Sequence, residues 1–556
     1  MAVNKSASYG ELKLDFNERS DSKPLWLAGV KANVKNYWKY PNKDQLETLI
    51  AQQYQMSREE ILLTNGGDEA IELMFKFAKL NDLKLILPLP AFSQYWNGKD
   101  IWQIEAKVIE PLDSLNIDQE ATLNAIENNS IVIITSPNNP TGETISSAHL
   151  ARICQQAQAK GAYVFLDCAY VEFTDLERSY FELINQFDNL LMLRTLSKAY
   201  GLAAIRVGYL LGQKNIVSQY KKLALPFNLS QPNMQIAQAA FTQAATLEVR
   251  NYCLQIKQNR EQLVSYLSKF GLNINDSQAN FILIRGSKKR LKMIVAACKL
   301  FNIQVKTSLL GLSERKTIEA IRVAIPFYLE RLLSAFKLAL EPELICFDMD
   351  GVLIDTSDSY DQAIAKTFEY FSEKTIAPKQ IADTRAQGGL NNDWVLTQAL
   401  LEQSGLTIEL ETIKQVFQQY YLGSESQEGL FNKETPFINR TVSDQIFISR
   451  SKTIKTAIVT GRGRNEAEQG LNLITVSNTL LVSDDDVDVS KPSPEGIKKA
   501  KSYYGCNLAW MLGDAPDDML AAKSAGALAI GIGDEKLYEF GADIVLDNVN
   551  ELEELL

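Results

Sequence analysis

A chain of 556 residues exceeds what one ordinary hydrophobic core organises, so about two to three folding units are expected. Hydrophobic residues at 46% and charged residues at 22% are ordinary globular values, and a net charge of -11 argues against nucleic acid or an anionic membrane as the main partner. His149 is the only histidine, which excludes a Ser-His-Asp triad elsewhere and any His-rich metal site; chemistry must run on lysine, carboxylates, tyrosine or a bound group.

Cys154, Cys168, Cys253, Cys298, Cys346 and Cys506 form no Cys-x-x-Cys pair, which fits a reducing compartment and mostly buried apolar roles. The first residues lack the apolar core of a signal peptide, and no run of 18 apolar residues occurs, so a soluble, cytoplasmic protein is expected. Up to about residue 40 the chain reads as irregular, with a strand fragment and a turn in 14–24. Tyr40-Pro41 is an extended dipeptide, after which Leu46, Leu49, Ile50 and Tyr54 recur at helical spacing. Residues 61–80, ILLTNGGDEAIELMFKFAKL, read as a short strand, a glycine turn and a helix. Gly66 and Gly67 permit close backbone approach and the helix start after Asp68 offers free N–H groups, which is either an anion cradle or merely a turn. His149 falls at the start of an amphipathic segment, 146–158, as a surface or helix-start residue.

Apolar runs at 84–88, 131–136, 163–167 and 190–194 alternate with helical stretches, a pattern that predicts a largely parallel sheet wrapped by helices, with ligands at the carboxyl ends of its strands. Those ends carry SPNNPTG at 136–142, DCAYVEF at 167–173 and Ser197-Lys198. Taken alone, Lys198 is either an exposed loop lysine or a functional one.

Asn17-Glu18, Tyr40-Pro41, NGGDEAI at 65–71, PAFSQY at 90–95, SPNNPTG, DCAY at 167–170, TLSKAYGLAAIRVGY at 195–209 and Arg322 stand in the order found in one family. Over residues 10–340 the chain resembles the fold-type I pyridoxal-phosphate aminotransferases, within them the histidinol-phosphate aminotransferase branch. The resemblance implies a mixed, mostly parallel α/β sheet with a small C-terminal subdomain, and pyridoxal 5′-phosphate as cofactor. It implies that Lys198 holds the cofactor as an imine and then moves protons, and that Asp167 keeps the pyridinium nitrogen protonated. Asn139 and Tyr170 would meet the ring oxygen and Tyr95 would stack on the ring face. Gly67, Asp68, Thr195, Ser197 and Arg206 would hold the phosphate, joined by Tyr40 from a neighbouring subunit, which requires a homodimer. Arg322, with Asn17 and Lys306, would bind substrate anions. The chain departs from the family at Arg19-Ser20, where Asn-Pro is usual, at Cys168, where glutamate is usual, at Ala324-Ile325-Pro326, and at Lys306, where a second arginine is usual. None of these touches the cofactor; all of them bear on the substrate.

A closing amphipathic helix at 328–340 and Glu341-Pro342 introduce a new strand with almost no linker, so domains of 1–341 and 342–556 are expected. Asp348-Met349-Asp350-Gly351 follows that strand; Thr460, Lys491 and LGDAPDDMLAAKSAG at 512–526 come after it in order. Residues 343–556 resemble the haloacid-dehalogenase-like phosphatases, which implies a Rossmannoid α/β domain with a helical cap at about 356–450. By that resemblance Asp348 attacks phosphorus to give an aspartyl-phosphate and Asp350 serves as acid and then base. Asp348, Asp514, Asp518 and the carbonyl of Asp350 would hold magnesium, while Thr460 and Lys491 hold phosphoryl oxygens. Asp-Met-Asp-Gly alone also fits a calcium-like loop or a plain turn, and 484–488, DDDVD, reads as a solvated acidic loop. In the loop 385–394, Arg385 or Asn391 could read the leaving group, or the loop is a simple interhelical turn.

Joined, the halves imply a bifunctional enzyme that transaminates a phosphorylated 2-oxo compound and removes phosphate. The substrate pair implied is imidazole-acetol phosphate and L-histidinol phosphate with glutamate and 2-oxoglutarate. Two alternatives stay open: the same chemistries on another phosphorylated amine or amino acid, or a pyridoxal-phosphate-binding regulatory domain fused to an active phosphatase.

Overall fold

The computed structural model describes residues 10–556 apart from 32, 388–391, 425, 426 and 477. By compactness the chain divides into one unit of Gly10–Ser287 with Asn302–Leu332 and another containing Lys288–Phe301 and Leu333–Leu556. The helix Lys288–Leu300 and most of Glu330–Leu340 thus group with the second unit, although both precede residue 341. Two contacts account for this: Lys289 pairs with Glu551 at 2.8 Å, and the fully buried Trp510 donates its indole N–H to the Leu338 carbonyl.

In the first unit the aliphatic runs become a seven-stranded sheet in the order Ile61–Thr64, Gly208–Gly212, Leu190–Thr195, Tyr163–Asp167, Ser130–Thr135, Lys84–Pro88, Ala106–Ile109. Gly208–Gly212 runs antiparallel to both neighbours and the other pairs are parallel. Central strands are buried along their whole length, as a sheet covered on both faces requires. The helix Gly66–Leu80 turns Ala70, Ile71, Met74 and Phe77 into this core against Leu85, Phe165 and Leu193. A smaller antiparallel sheet of Asn273–Ile274, Phe281–Arg285 and Ala320–Ala324 carries Arg322. His149 lies in the first turn of Ser147–Ala159, where its N–H donates to the capping Ser146 hydroxyl at 3.2 Å.

The second unit holds a six-stranded parallel sheet in the order Leu480–Val482, Lys455–Val459, Leu344–Phe347, Ala509–Gly513, Leu528–Ile532, Ile544–Leu546. Its helical cap is built from Tyr360–Ser372, Pro378–Arg385, Asp393–Gln403 and Leu410–Leu422, packed on their own core of Ile364, Phe368, Leu396, Leu400 and Phe417. Chain enters and leaves the cap through a two-stranded ribbon, Ile354–Asp355 against Thr435–Pro436. Among the described residues no helix is long and apolar enough to cross a membrane.

Candidate active sites

In the first unit, loops at the carboxyl ends of the parallel strands enclose a cavity of about 490 Å³. Lys198, Asp167, Thr195, Ser197 and Arg206 line it from the strand ends; Gly67 and Asp68 line it from the helix start; Asn139, Tyr170, Lys306 and Arg322 line the remainder. Lys198 Nζ donates to the Phe16 carbonyl at 2.8 Å and lies 5.6 Å from the centre of the Tyr170 ring. Tyr170 accepts at its hydroxyl from Asn17 Nδ2 at 3.1 Å. Arg322 donates from Nη1 to Asn139 Oδ1 and from Nη2 to the Asp15 carbonyl at 2.6 Å, while its buried Nε has no partner among the described residues. Lys306 Nζ lies 6.0 Å from the centre of the Phe16 ring, and its backbone pairs with that of Arg322.

The anion cradle depends on backbone that few residues adopt. Arg206 is left-handed at φ 53° and Gly66 at φ 69°. A Cβ on Gly66 would stand 2.3 Å from Arg206 Nη2, so only glycine lets the guanidinium lie across the turn. Arg206 then reaches Asp68 at 2.8 Å and the Ser197 hydroxyl at 3.3 Å, beside the hydroxyl of Thr195. Tyr40 is 79% exposed and stacks on Phe227 with ring centres 4.3 Å apart; it does not line the cavity of its own chain.

Tyr95 departs from the expectation that it stacks on a ligand ring. Its side chain is fully buried behind the cavity and its hydroxyl donates to Asp167 Oδ2 at 2.8 Å; Phe92, three residues earlier, lines the cavity instead. The helix Ser93–Ile101 begins between the two aromatics and carries Tyr95 into the core. Burial pushes Asp167 from the usual 3.8 up to about 6, opposed by the Tyr95 hydroxyl and the Ala169 N–H. The folded state therefore holds this proton more tightly than the unfolded chain, and the ionised carboxylate costs stability that is absent below pH 4 and complete above pH 6. In Asp167→Asn the amide oxygen still accepts from Ala169, but the amide nitrogen donates to Tyr95 where the carboxylate accepted from it, so that bond reverses and the buried Tyr95 O–H loses its acceptor. Relative to wild type, ligand-free Asp167→Asn is expected to gain about 3 kcal/mol of stability between pH 4 and pH 8, on top of a pH-independent cost for the Tyr95 hydroxyl. Urea unfolding across that range checks this; a difference that does not change with pH refutes it.

In the second unit Asp348 directly follows Leu344–Phe347, Thr460 follows Lys455–Val459 and Asp514 follows Ala509–Gly513, three adjacent strand ends. Carboxylate oxygens of Asp348, Asp514 and Asp518 lie within 4.8 Å of one another. Lys491 Nζ donates to Asp348 at 2.7 Å and to Asp518 at 2.6 Å. Burial pushes Asp348 well up, opposed by Lys491 and reinforced by the neighbouring carboxylates. Burial and Asp518 push Asp514 up to about 7. The cluster is short of positive charge, and its hard oxygen donors suit a divalent cation. Gly351, at φ 69°, lets Asp514 approach: a Cβ there would fall 1.9 Å from its Oδ2.

Asp350 does not point its carboxylate into this cluster; it is gripped by Arg462, which the sequence reading passed over. From the cap, Arg385 faces a cavity lined also by Asp348, Asp350 and Asp514, while paired with Asp361 at 2.8 Å and Asp393 at 3.0 Å. Asn391 lies outside the described residues. In the acidic loop 484–488 Asp485 and Asp488 are exposed, while Asp486 pairs with Arg464 and accepts from the Ser483 N–H.

A strand-end lysine facing a buried carboxylate and an arginine cradle, followed by a carboxylate cluster at the strand ends of a second α/β unit, define a two-module enzyme. The chain belongs to the class I and II aminotransferases, whose family model matches residues 13–322, and the haloacid dehalogenase-like hydrolase model matches residues 345–532. The histidinol-phosphate aminotransferase of Buchnera aphidicola is 31% identical over 288 residues, which covers 50% of this chain and 79% of that protein. That of Bacillus pumilus is 32% identical over 264 residues, covering 46% and 70%. In fold, the chain is similar to histidinol-phosphate aminotransferase from Sinorhizobium meliloti in complex with pyridoxal-5′-phosphate, with a TM-score of 0.52 and 20% identity over 59% of this chain and 90% of that one. The Clostridium acetobutylicum enzyme gives 0.51 and 22%, over 59% and 99%.

Proposed function

We propose that this chain is a bifunctional enzyme: residues 1–341 transaminate a phosphorylated 2-oxo compound with pyridoxal 5′-phosphate, and residues 342–556 hydrolyse a phosphate monoester with magnesium. The observation that carries the reading is the convergence of Lys198, Asp167 and the Arg206–Ser197–Thr195 cradle on one cavity of about 490 Å³. The residues present fit the cofactor: a buried carboxylate at one end, an anion cradle that admits no Cβ at the other, and a lysine between.

Pyridoxal phosphate, when bound, supplies an electron sink for chemistry at the substrate α-carbon. Asp167, held by Tyr95, would keep the ring nitrogen protonated. Asn139 and Tyr170 would hold the ring oxygen and Phe92 would pack on the ring. Gly67 and Asp68 offer N–H groups to the phosphate alongside Thr195, Ser197 and Arg206. Tyr40 reaches that phosphate from a second copy of the chain, a role supported by its exposure and by its absence from its own cavity. Lys198 would anchor the cofactor and move the proton at the α-carbon. Arg322, Lys306 and Asn17 receive substrate anions.

In the second unit Asp348 Oδ attacks phosphorus as the P–O bond to the leaving group breaks, and Asp350 gives that oxygen a proton. Asp350 then takes a proton from water as the water attacks the phosphorylated Asp348, releasing phosphate. Thr460 and Lys491 steady the phosphoryl oxygens. Magnesium would be held by Asp348, Asp514, Asp518 and the Asp350 carbonyl and would supply the positive charge this cluster lacks.

L-Histidinol phosphate with 2-oxoglutarate is the preferred substrate pair, supported by the relatives' names. Supplying both to the intact chain should yield glutamate and inorganic phosphate together; turnover in neither assay overturns that pair. Lys306, where a second arginine is usual in the family, favours a second reading in which another phosphorylated amine is taken, because a lysine lacks the forked donor set of arginine. Faster turnover of another compound in a panel of phosphorylated amines would select it.

A further inference from the structure

Arg462 has no part in the roles proposed above, yet it is the most heavily engaged side chain of the second site. Its side chain is 2% exposed. Nε and Nη2 donate to Asp350 Oδ1 at 2.9 and 2.6 Å, and Nη2 also donates to both oxygens of Glu434 at 3.0 Å. Its backbone N–H donates to the Thr460 hydroxyl at 3.1 Å, which fixes the loop from which it projects. Glu434 is itself buried, and its Oε1 accepts from the hydroxyls of Ser359 and Tyr421, each at 2.9 Å.

These partners belong to the cap and its linkers. Glu434 precedes Thr435–Pro436, the outgoing strand of the ribbon. Ser359 stands at the start of Tyr360–Ser372, the first cap helix, and Tyr421 is in the last turn of Leu410–Leu422. A guanidinium this deeply buried needs a carboxylate, because an unpaired buried charge is severely destabilising. Asp350 bridges Nε and Nη2 and Glu434 takes Nη2 as well, so the two carboxylates meet through one shared donor.

We propose that Arg462 is a positioning residue. It orients Asp350 toward the oxygen of the leaving group, and through Glu434 it ties that orientation to the cap linkers, so that the posture of the cap is passed to Asp350. The proposal rests on the reading of Asp350 as the acid that protonates the leaving group, and its test separates the two.

The test uses two esters of similar shape and unequal need for an acid, benzyl phosphate and p-nitrophenyl phosphate, with the full chain and magnesium. A nitrophenolate departs without a proton, whereas a benzyl alkoxide requires one. The readout is kcat/KM, which covers the steps up to departure of the leaving group. In Arg462→Lys, kcat/KM for benzyl phosphate should fall on the order of 100-fold and that for p-nitrophenyl phosphate less than about threefold. Glu434→Gln, which leaves both Arg462–Asp350 bonds in place, should give the same selective pattern at about tenfold, and it keeps the test alive if the arginine variant does not fold. Equal loss on both esters, or loss on neither, overturns the proposal. Asp350→Asn serves as the reference: selective loss there without selective loss at Arg462 or Glu434 sinks only the positioning role, whereas no selective loss at Asp350 sinks the acid assignment itself.

Discussion

Lys198→Ala is expected to lower amino transfer on the order of 1,000-fold or more while phosphate release stays within about twofold of wild type. No neighbour replaces the missing amine. Arg206 is committed to Asp68 and Ser197, and Arg322 to Asn139 and the Asp15 carbonyl. A guanidinium is no proton acceptor in this role, whichever arginine bears it. Lys306 ends above Phe16, whereas Lys198 donates to the Phe16 carbonyl and borders Tyr170. A small primary amine added to the variant should restore part of the lost rate, a result that a structural role for the lysine does not produce. Parallel loss of phosphate release would show that the two modules do not work independently. Retained amino transfer would remove Lys198 from the centre of the mechanism.

The parallel core of the first sheet was legible because its strands are continuous aliphatic runs that end in polar, glycine-bearing segments. Gly208–Gly212 was not: it starts at the last two residues of the motif at 195–209, where no strand is expected, yet it forms the antiparallel strand that closes the sheet against Ile61–Thr64. The two aromatics of PAFSQY show another limit. Sequence places Phe92 and Tyr95 three residues apart, but which one faces the cavity depends on where Ser93–Ile101 begins, and element boundaries are the least legible feature of a helix. Arg19, noted only as a departure from the family, serves packing: it is buried, pairs with Glu248 at 2.8 Å and lies 3.9 Å from the centre of the Tyr252 ring. In the second unit the strand-end aspartates, Thr460 and Lys491 were legible from motif order. The Arg462–Asp350–Glu434 cluster was not, since its members stand 112 and 28 residues apart. A signal existed in Arg462 itself, two residues beyond Thr460 in a glycine-flanked turn at a strand end, where a buried guanidinium must find carboxylates.

Asp348→Asn should abolish phosphate release, on the order of 1,000-fold or more, and leave amino transfer unchanged. The substitution removes a carboxylate nucleophile while keeping its size, and it leaves no buried cation stranded. Lys491 retains Asp518 at 2.6 Å and can still donate to the amide oxygen. Wild-type Asp348 is pushed well up by burial, and Asp514 rises to about 7 in the same cluster. An acid whose folded-state value is raised costs the fold stability once ionised, above that value, and costs nothing below the unfolded value. Neutral asparagine relieves that crowding, so the metal-free variant should melt at or above the wild-type temperature at pH 8. Loss of phosphate release then cannot be ascribed to unfolding. Measuring the melt, phosphate release and amino transfer on one preparation decides the matter: a stable variant that still releases phosphate at the wild-type rate would remove Asp348 from its role, and a destabilised one would show that its charge holds the fold.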